Sequence, residues 1–123
     1  METTGKRVLL VEDDRFLRRA CEASLRQRGL AVTTAADGEE GLRLARSEQP
    51  DLILMDVVMP GLNGFQATRA ITREEKTKHI PVIICTTKDQ ETDKIWGLRQ
   101  GAKDYVTKPV SEGELLEKIK ALG

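Results

Sequence analysis

The chain reads as an α/β protein: a doubly wound, five-stranded parallel sheet of order 2-1-3-4-5 with helices on both faces, flavodoxin-like in plan. Three observations predict it. Short apolar runs alternate with helix-period stretches, strand then helix, five times along the 123 residues. Helices between strands require crossover connections, so the strands run parallel and the right-handed crossovers cover both sheet faces. The apolar runs end in acids, hydroxyls or Lys-Pro, at the strand ends where open α/β sheets gather ligands.

The first strand is Arg7-Val8-Leu9-Leu10-Val11, running straight into Glu12-Asp13-Asp14. A helix from about Arg15 to Arg28 follows, with Leu17, Ala20, Cys21, Ser24 and Leu25 at inward spacing, and Gly29 stops it. Ala31 to Ala35 is the second strand. Asp37-Gly38-Glu39-Glu40 has the form of a capping box for a helix that buries Leu42 and Ala45. Gln49-Pro50-Asp51 ends that helix and leads into the central strand, Leu52-Ile53-Leu54-Met55.

That central run ends at Asp56 and then Val57-Val58-Met59-Pro60-Gly61, a loop signal. Asn63 can cap a helix carrying Phe65, Ala67, Thr68 and Ile71. The mixed-charge run Arg73 to His79 reads as a solvated helix end and loop. His79, the only histidine, has no nearby base or nucleophile and reads as structural or functionally neutral. Pro81-Val82-Ile83-Ile84-Cys85 is the fourth strand and ends in Thr86 and Thr87. A helix from about Gln90 to Gln100 stops at Gly101, with Ile95, Leu98 and Ala102 as its inward face. Tyr105-Val106-Thr107 is the fifth strand and ends in Lys108-Pro109. Ser111-Glu112-Gly113-Glu114 is a further capping box, before a helix with Leu115, Leu116, Ile119 and Leu122.

Bulk properties bound the function. The length suits one domain with one core. Hydrophobic residues are 39%, charged residues 33% and aromatics 3%, so the core is expected to be aliphatic. Twenty basic and twenty acidic residues give a formal net charge of zero, which argues against nucleic-acid binding by electrostatics. Nothing approaches a membrane span or a signal peptide, and a cytoplasmic location is expected. Cys21 and Cys85 lack metal-ligand spacing and read as buried, reduced thiols.

In the 2-1-3-4-5 order, strands 1 and 3 meet at the switch point. Glu12, Asp13 and Asp56 then lie side by side, with Thr86 delivered by strand 4 and Lys108 by strand 5. Carboxylates crowded together raise one another's pKa. Lys108 offsets one charge, and a divalent cation would offset two. Oxygen ligands with few protein groups suit Mg²⁺; Ca²⁺ in a structural role is the other candidate, but its usual acidic loop is missing. Mg²⁺ beside a strand-end carboxylate, a hydroxyl and a lysine forms a phosphoryl-transfer site, with a carboxylate as nucleophile. Glycine-rich phosphate loops are missing. The position two after Asp56 is Val58, not an acid or base, which disfavours a phosphatase of the Asp-x-Asp type.

These residues carry a resemblance. The acidic pair Glu12-Asp13, Asp56 ahead of Met-Pro-Gly-x-Asn-Gly, Thr86, and Tyr105 before Lys108-Pro109 resemble the receiver domain of two-component response regulators over nearly the whole chain. With the chain ending after the fifth helix, it resembles the single-domain, CheY-like chemotaxis class without an output domain. The stretch Thr86 to Ala102 looks most like twitching-motility regulators of type IV pili (PilH-like).

The resemblance implies that Asp56 accepts a phosphoryl group from a sensor histidine kinase. It implies Mg²⁺ held by Asp13, Asp56 and the Val58 carbonyl, with Glu12 acting through water. Thr86 and Lys108 would contact the phosphoryl oxygens, and Tyr105 would turn inward as Thr86 moves. The chain would act as a monomer or weak dimer on a downstream motility or signalling protein. It would be no enzyme beyond its own phosphorylation and dephosphorylation. Thr87 departs from the usual small Ala or Ser, and Lys88 is cationic where relatives vary; either could tune phosphodonor access or hydrolysis. Trp96 lies about 100° round the helix from Ile95 and should be half exposed. It either shields a helix seam or, with Tyr105, anchors a partner. A Mg²⁺-dependent phosphohydrolase and an unphosphorylated scaffold are the competing readings.

Overall fold

The computed structural model describes residues 5–59, 61–109 and 111–122, without the Glu112 side chain. The N-terminal stretch to Thr4, Pro60 of the loop motif, Val110 and the terminal Gly123 lie outside the described residues. The elements alternate as β1 (Arg7–Val11), α1 (Arg15–Gln27), β2 (Ala31–Ala35), α2 (Gly38–Glu48), β3 (Leu52–Met55), α3 (Gly64–Arg73), β4 (Val82–Thr86), α4 (Glu91–Arg99), β5 (Asp104–Thr107) and α5 (Glu112–Ala121). All pairings are parallel and the sheet order is β2-β1-β3-β4-β5, as the alternation predicts.

Period-two alternation along the strands sorts the core onto two faces. Val8 and Leu10 of β1 join Leu52, Leu54 and Ile83 in the layer beneath Leu25 of α1 and Leu115 and Ile119 of α5. Leu9 and Val11 point the other way, with Ile53 and Met55, against Ala45 of α2 and Ala67 and Ile71 of α3. The central strand β3 is buried throughout, which is why its sequence is a continuous apolar run. A third, smaller cluster of Val57, Ile84 and Ala102 lies against Phe65 and Tyr105.

The helix caps follow the sequence. Asp14 accepts from the amides of Phe16 and Leu17, and Asp37 from that of Glu40. Glu40 reaches back to the Ala36 amide rather than to Asp37 itself. Asn63 and Gln66 close a reciprocal capping box, and Ser111 accepts from the Glu114 amide. The α3–β4 loop is mostly solvated, but Thr77 is fully buried and donates to the Ile71 carbonyl at 2.7 Å. Arg46 of α2 pairs with Glu74 of the same loop at 2.8 Å.

Three expectations about inward faces are corrected. Leu17 is 48% exposed and Ala20 is also exposed, because the first turns of α1 border a cavity instead of the sheet. Cys21 and Cys85 line that same cavity and are only partly buried. In α4, Ile95 and Leu98 are 46% and 48% exposed, and the buried residue of the helix is Gly97. The apolar side chains of α4, Ile95, Trp96 and Leu98, point to different sides of the helix, so periodicity could not choose its inner side. Ala102 is buried as expected, but beyond the helix end.

Candidate phosphoryl-transfer site

The carboxyl ends of β1, β3, β4 and β5 converge, and the sheet's own hydrogen bonds set the depth of each group. The Glu12 amide donates to the Ala35 carbonyl at 3.0 Å, extending the β1 ladder, and the residue is 3% exposed. The Asp56 amide donates to Val11 at 3.0 Å, continuing β3 beside β1, and Asp56 is 8% exposed. Asp13 is exposed on the rim. Carboxylate oxygens of Glu12, Asp13 and Asp56 all lie within 4.8 Å of one another.

Lys108 enters from β5, where its amide donates to the Thr86 carbonyl at 2.7 Å and fixes the strand end next to β4. Its ammonium is hydrogen-bonded to Glu12 and stands 3.6 Å from Asp56 Oδ2. The Lys108-Pro109 peptide is cis. The other Asp56 oxygen, Oδ1, accepts from the Val58 amide at 3.1 Å. Thr86 is fully buried, and its Oγ1 meets the Lys88 amide at a long 3.5 Å. Thr87 is exposed and lines the cavity beside the site.

Burial pushes the Glu12 carboxyl above its ordinary pKa; Lys108 pulls it back down, and the Asp56 charge adds to the rise. Burial works against the Lys108 ammonium, but its hydrogen bond to Glu12 and the charge of Asp56 outweigh that and raise its pKa. One ammonium thus serves two buried carboxylates, and Asp13 adds a third acid at the rim. The uncompensated negative charge and the all-oxygen donor set fit a hard divalent cation such as Mg²⁺. Glu12, Asp13 and Asp56 are the side chains that would hold it.

Several contributors were not legible in the sequence. Arg18 of α1 donates to the Glu12 and Asp13 carbonyls at 2.9 and 3.3 Å, pinning the acidic turn. A Cβ on Gly64 would come 2.0 Å from the Asp56 carbonyl oxygen, so only glycine lets α3 start directly against the Asp56 strand end. Its place after the Asn63 cap was the available signal. Lys88 turns its ammonium toward Asp93, 3.9 Å away, while its carbonyl accepts from the Tyr105 hydroxyl at 2.9 Å. Tyr105 is partly buried, and Trp96 is 49% exposed, matching its expected half exposure. A cavity of about 490 Å³ extends from the site between α1 and α5, lined by Leu17, Cys21, Leu54, Cys85 and Leu115.

Comparison with known proteins decides the family. Residues 8–120 match the response regulator receiver domain. The chain belongs to that family. As a receiver domain it is a phosphorylation-controlled signalling module rather than a conventional enzyme. It is 56% identical over 116 residues to Protein PilH of Pseudomonas aeruginosa, covering 94% of this chain and 96% of PilH. It is 45% identical to the transcriptional regulatory protein AfsQ1 of Streptomyces coelicolor, but spans only 50% of that protein. The chemotaxis protein CheY4 of Vibrio cholerae superposes with a TM-score of 0.90 at 31% identity, over 98% of this chain and 100% of that one. The receiver domain of sensor histidine kinase PA1611 from Pseudomonas aeruginosa, which has a magnesium ion coordinated in its active-site cleft, gives 0.89 at 36% identity. The coverage is 97% of this chain and 98% of that one. Among the described residues, no helix is long and apolar enough to cross a membrane.

Proposed function

We propose that Asp56 is the phosphoryl acceptor of this receiver domain and that a histidine kinase supplies the group. An Asp56 carboxylate oxygen attacks phosphorus, and the phosphorus–nitrogen bond of the kinase phosphohistidine breaks. The electron pair stays on the imidazole nitrogen, and the product is an acyl phosphate on Asp56. The observation that carries this reading is the shared ammonium: Lys108 stands within reach of Asp56 while anchored on Glu12. It is placed to meet charge that arrives on Asp56.

Asp13, Asp56 and the Val58 carbonyl would hold Mg²⁺, with Glu12 acting through water. When bound, the ion neutralises phosphoryl oxygens during transfer. Thr86 supplies a hydroxyl and Lys108 an ammonium to the same oxygens. The added charge, about −1.5 to −2 at neutral pH, draws Thr86 toward the acceptor. Tyr105 follows by moving into the space this opens beside β4, and the face carrying Trp96 changes for a downstream partner.

The 56% identity to PilH and the likeness to the chemotaxis protein CheY4 support type IV pilus or chemotaxis-like motility as the pathway. A cytoplasmic setting and action as a monomer or weak dimer belong to the same proposal. Family membership favours this switch over a phosphohydrolase. The test is incubation with acetyl phosphate and Mg²⁺ followed by intact mass. One phosphoryl adduct on the wild-type chain and none on Asp56→Asn is expected. Equal labelling of the variant would move the acceptor elsewhere, first to Asp13.

A further inference from the structure

The cavity between α1 and α5 measures about 490 Å³, in the range of small-molecule sites and far larger than one phosphoryl group. Its walls are mostly apolar: Leu10, Leu17, Leu54 and Leu115 line it, with the thiols of Cys21 and Cys85. Asp56, Lys108, Thr87 and Pro109 line it too, so the apolar space opens onto the phosphoryl acceptor. The two Asp56 oxygens differ in their surroundings. Oδ1 accepts from the Val58 amide at 3.1 Å, while Oδ2 lies 3.6 Å from the Lys108 ammonium. Oδ2 is therefore the oxygen not held by the backbone, and it faces a residue of the cavity wall. Burial pushes the Cys85 thiol up to about 11, so at pH 7 it is a neutral part of that wall and not a nucleophile.

We infer that this site also takes its phosphoryl group from small acyl phosphates, and that the cavity selects those whose acyl group is a short apolar chain. The inference rests on the reading of Asp56 as the acceptor. Asp56 Oδ2 attacks phosphorus, and the bond from phosphorus to the bridging oxygen breaks. The electron pair leaves on that oxygen, which becomes one of the two carboxylate oxygens of the released acid; no proton moves. Lys108, between the acceptor and the cavity, meets the phosphoryl and leaving-group charge. The alkyl chain lies along Leu17, Cys21 and Leu115. Each methylene that enters exchanges water for an apolar wall. Acetyl phosphate carries a single methyl group and leaves most of this space to water.

The test follows phosphoryl adduct formation by intact mass, at equal subsaturating concentrations of acetyl, propionyl and butyryl phosphate with Mg²⁺. The three carboxylate leaving groups have nearly equal basicity, so intrinsic reactivity does not separate the donors. The wild-type rate is expected to rise about fourfold per added methylene, the worth of burying one CH₂. Cys21→Leu fills the cavity and should level the three rates, whereas Cys21→Ala should keep the preference. Leu17→Ala, at a half-exposed position, should weaken the preference without adding volume, so a folding defect in Cys21→Leu does not decide the outcome. Acetyl phosphate should label all these variants at the wild-type rate. The unreactive phosphonate analogue of butyryl phosphate, with CH₂ in place of the bridging oxygen, should shift the methyl resonances of Leu17, Leu54 and Leu115. Equal wild-type rates for the three donors, or a preference that persists in both Cys21→Leu and Leu17→Ala, would overturn the inference and leave Asp56 as the acceptor. Undiminished labelling of Asp56→Asn would overturn the acceptor reading, and this inference with it.

Discussion

Lys108, at the end of β5, is hydrogen-bonded to the buried carboxylate of Glu12 at the end of β1, across the width of two intervening strands. The contact draws the ammonium to 3.6 Å from Asp56 on β3. One cation thus bridges the two acids that the sheet buries, and the site's electrostatics depend on it.

Lys108→Met should leave Glu12 and Asp56 buried without a counter-charge. We expect a loss of roughly 2–4 kcal/mol in urea unfolding, somewhat below the usual cost of breaking a fully buried pair. The discount reflects the 20% exposure of the Lys108 side chain. Adding Glu12→Gln should recover part of that loss, since the two changes act on one interaction. Strictly additive losses would mean that the pair does not hold the site together.

Mg²⁺ should raise the melting temperature, because it binds the folded acidic cluster and not the unfolded chain. At a hundredfold excess over Kd the gain is about 2.7 kcal/mol. Asp13→Ala should abolish most of this gain. The metal-free variant should be slightly more stable than wild type, by about 0–1 kcal/mol, because a repelling rim charge is gone. A Mg²⁺ shift of full size in the variant would show that Asp13 is not a ligand.

Tyr105 titrates late. Burial, and after it the charges of Asp93, Asp56 and Asp89, push its phenol up to about 12. The phenolate absorbance should rise with a midpoint near that value, against about 10 for a free tyrosine. Folding favours the protonated ring, so its contribution to stability is complete below about pH 10 and is lost as pH climbs toward about 12. Tyr105→Phe should remove this alkaline component and cost about 0.5–1.5 kcal/mol for the hydrogen bond to Lys88. A midpoint near 10 in the folded protein would mean that the ring is not seated as described.

Thr86→Ala should leave phosphorylation of Asp56 possible, because the nucleophile and the Lys108 ammonium remain. It should blunt the change in Trp96 fluorescence that acetyl phosphate with Mg²⁺ produces in the wild type. The amide shifts of Tyr105 and its neighbours give the stricter reading. If they respond equally in wild type and variant, the Thr86 hydroxyl does not carry the signal.

The sequence by itself determined the element order, the parallel sheet and its 2-1-3-4-5 arrangement. The element order follows from local periodicity and the parallel sense from the geometry of crossovers, and 2-1-3-4-5 is the doubly wound order that five such strands fit. The sequence also determined that Glu12, Asp13, Asp56, Thr86 and Lys108 share one edge, since each stands at the end of a strand whose place the topology assigns. Tertiary structure alone decided the rest. The inner side of α4 is Gly97, not Ile95 or Leu98, because Ile95, Trp96 and Leu98 fan round the helix without choosing a side, and at Gly97 the bare backbone packs against Ile84 and the Tyr105 ring. Leu17 borders a cavity because the start of α1 overhangs the acidic turn, a position set by the Asp14 cap and the Arg18 hydrogen bonds. The bridge from Lys108 to Glu12 and the bond from Tyr105 to Lys88 depend on distances between strands and loops far apart in sequence, and periodicity carries no information about either.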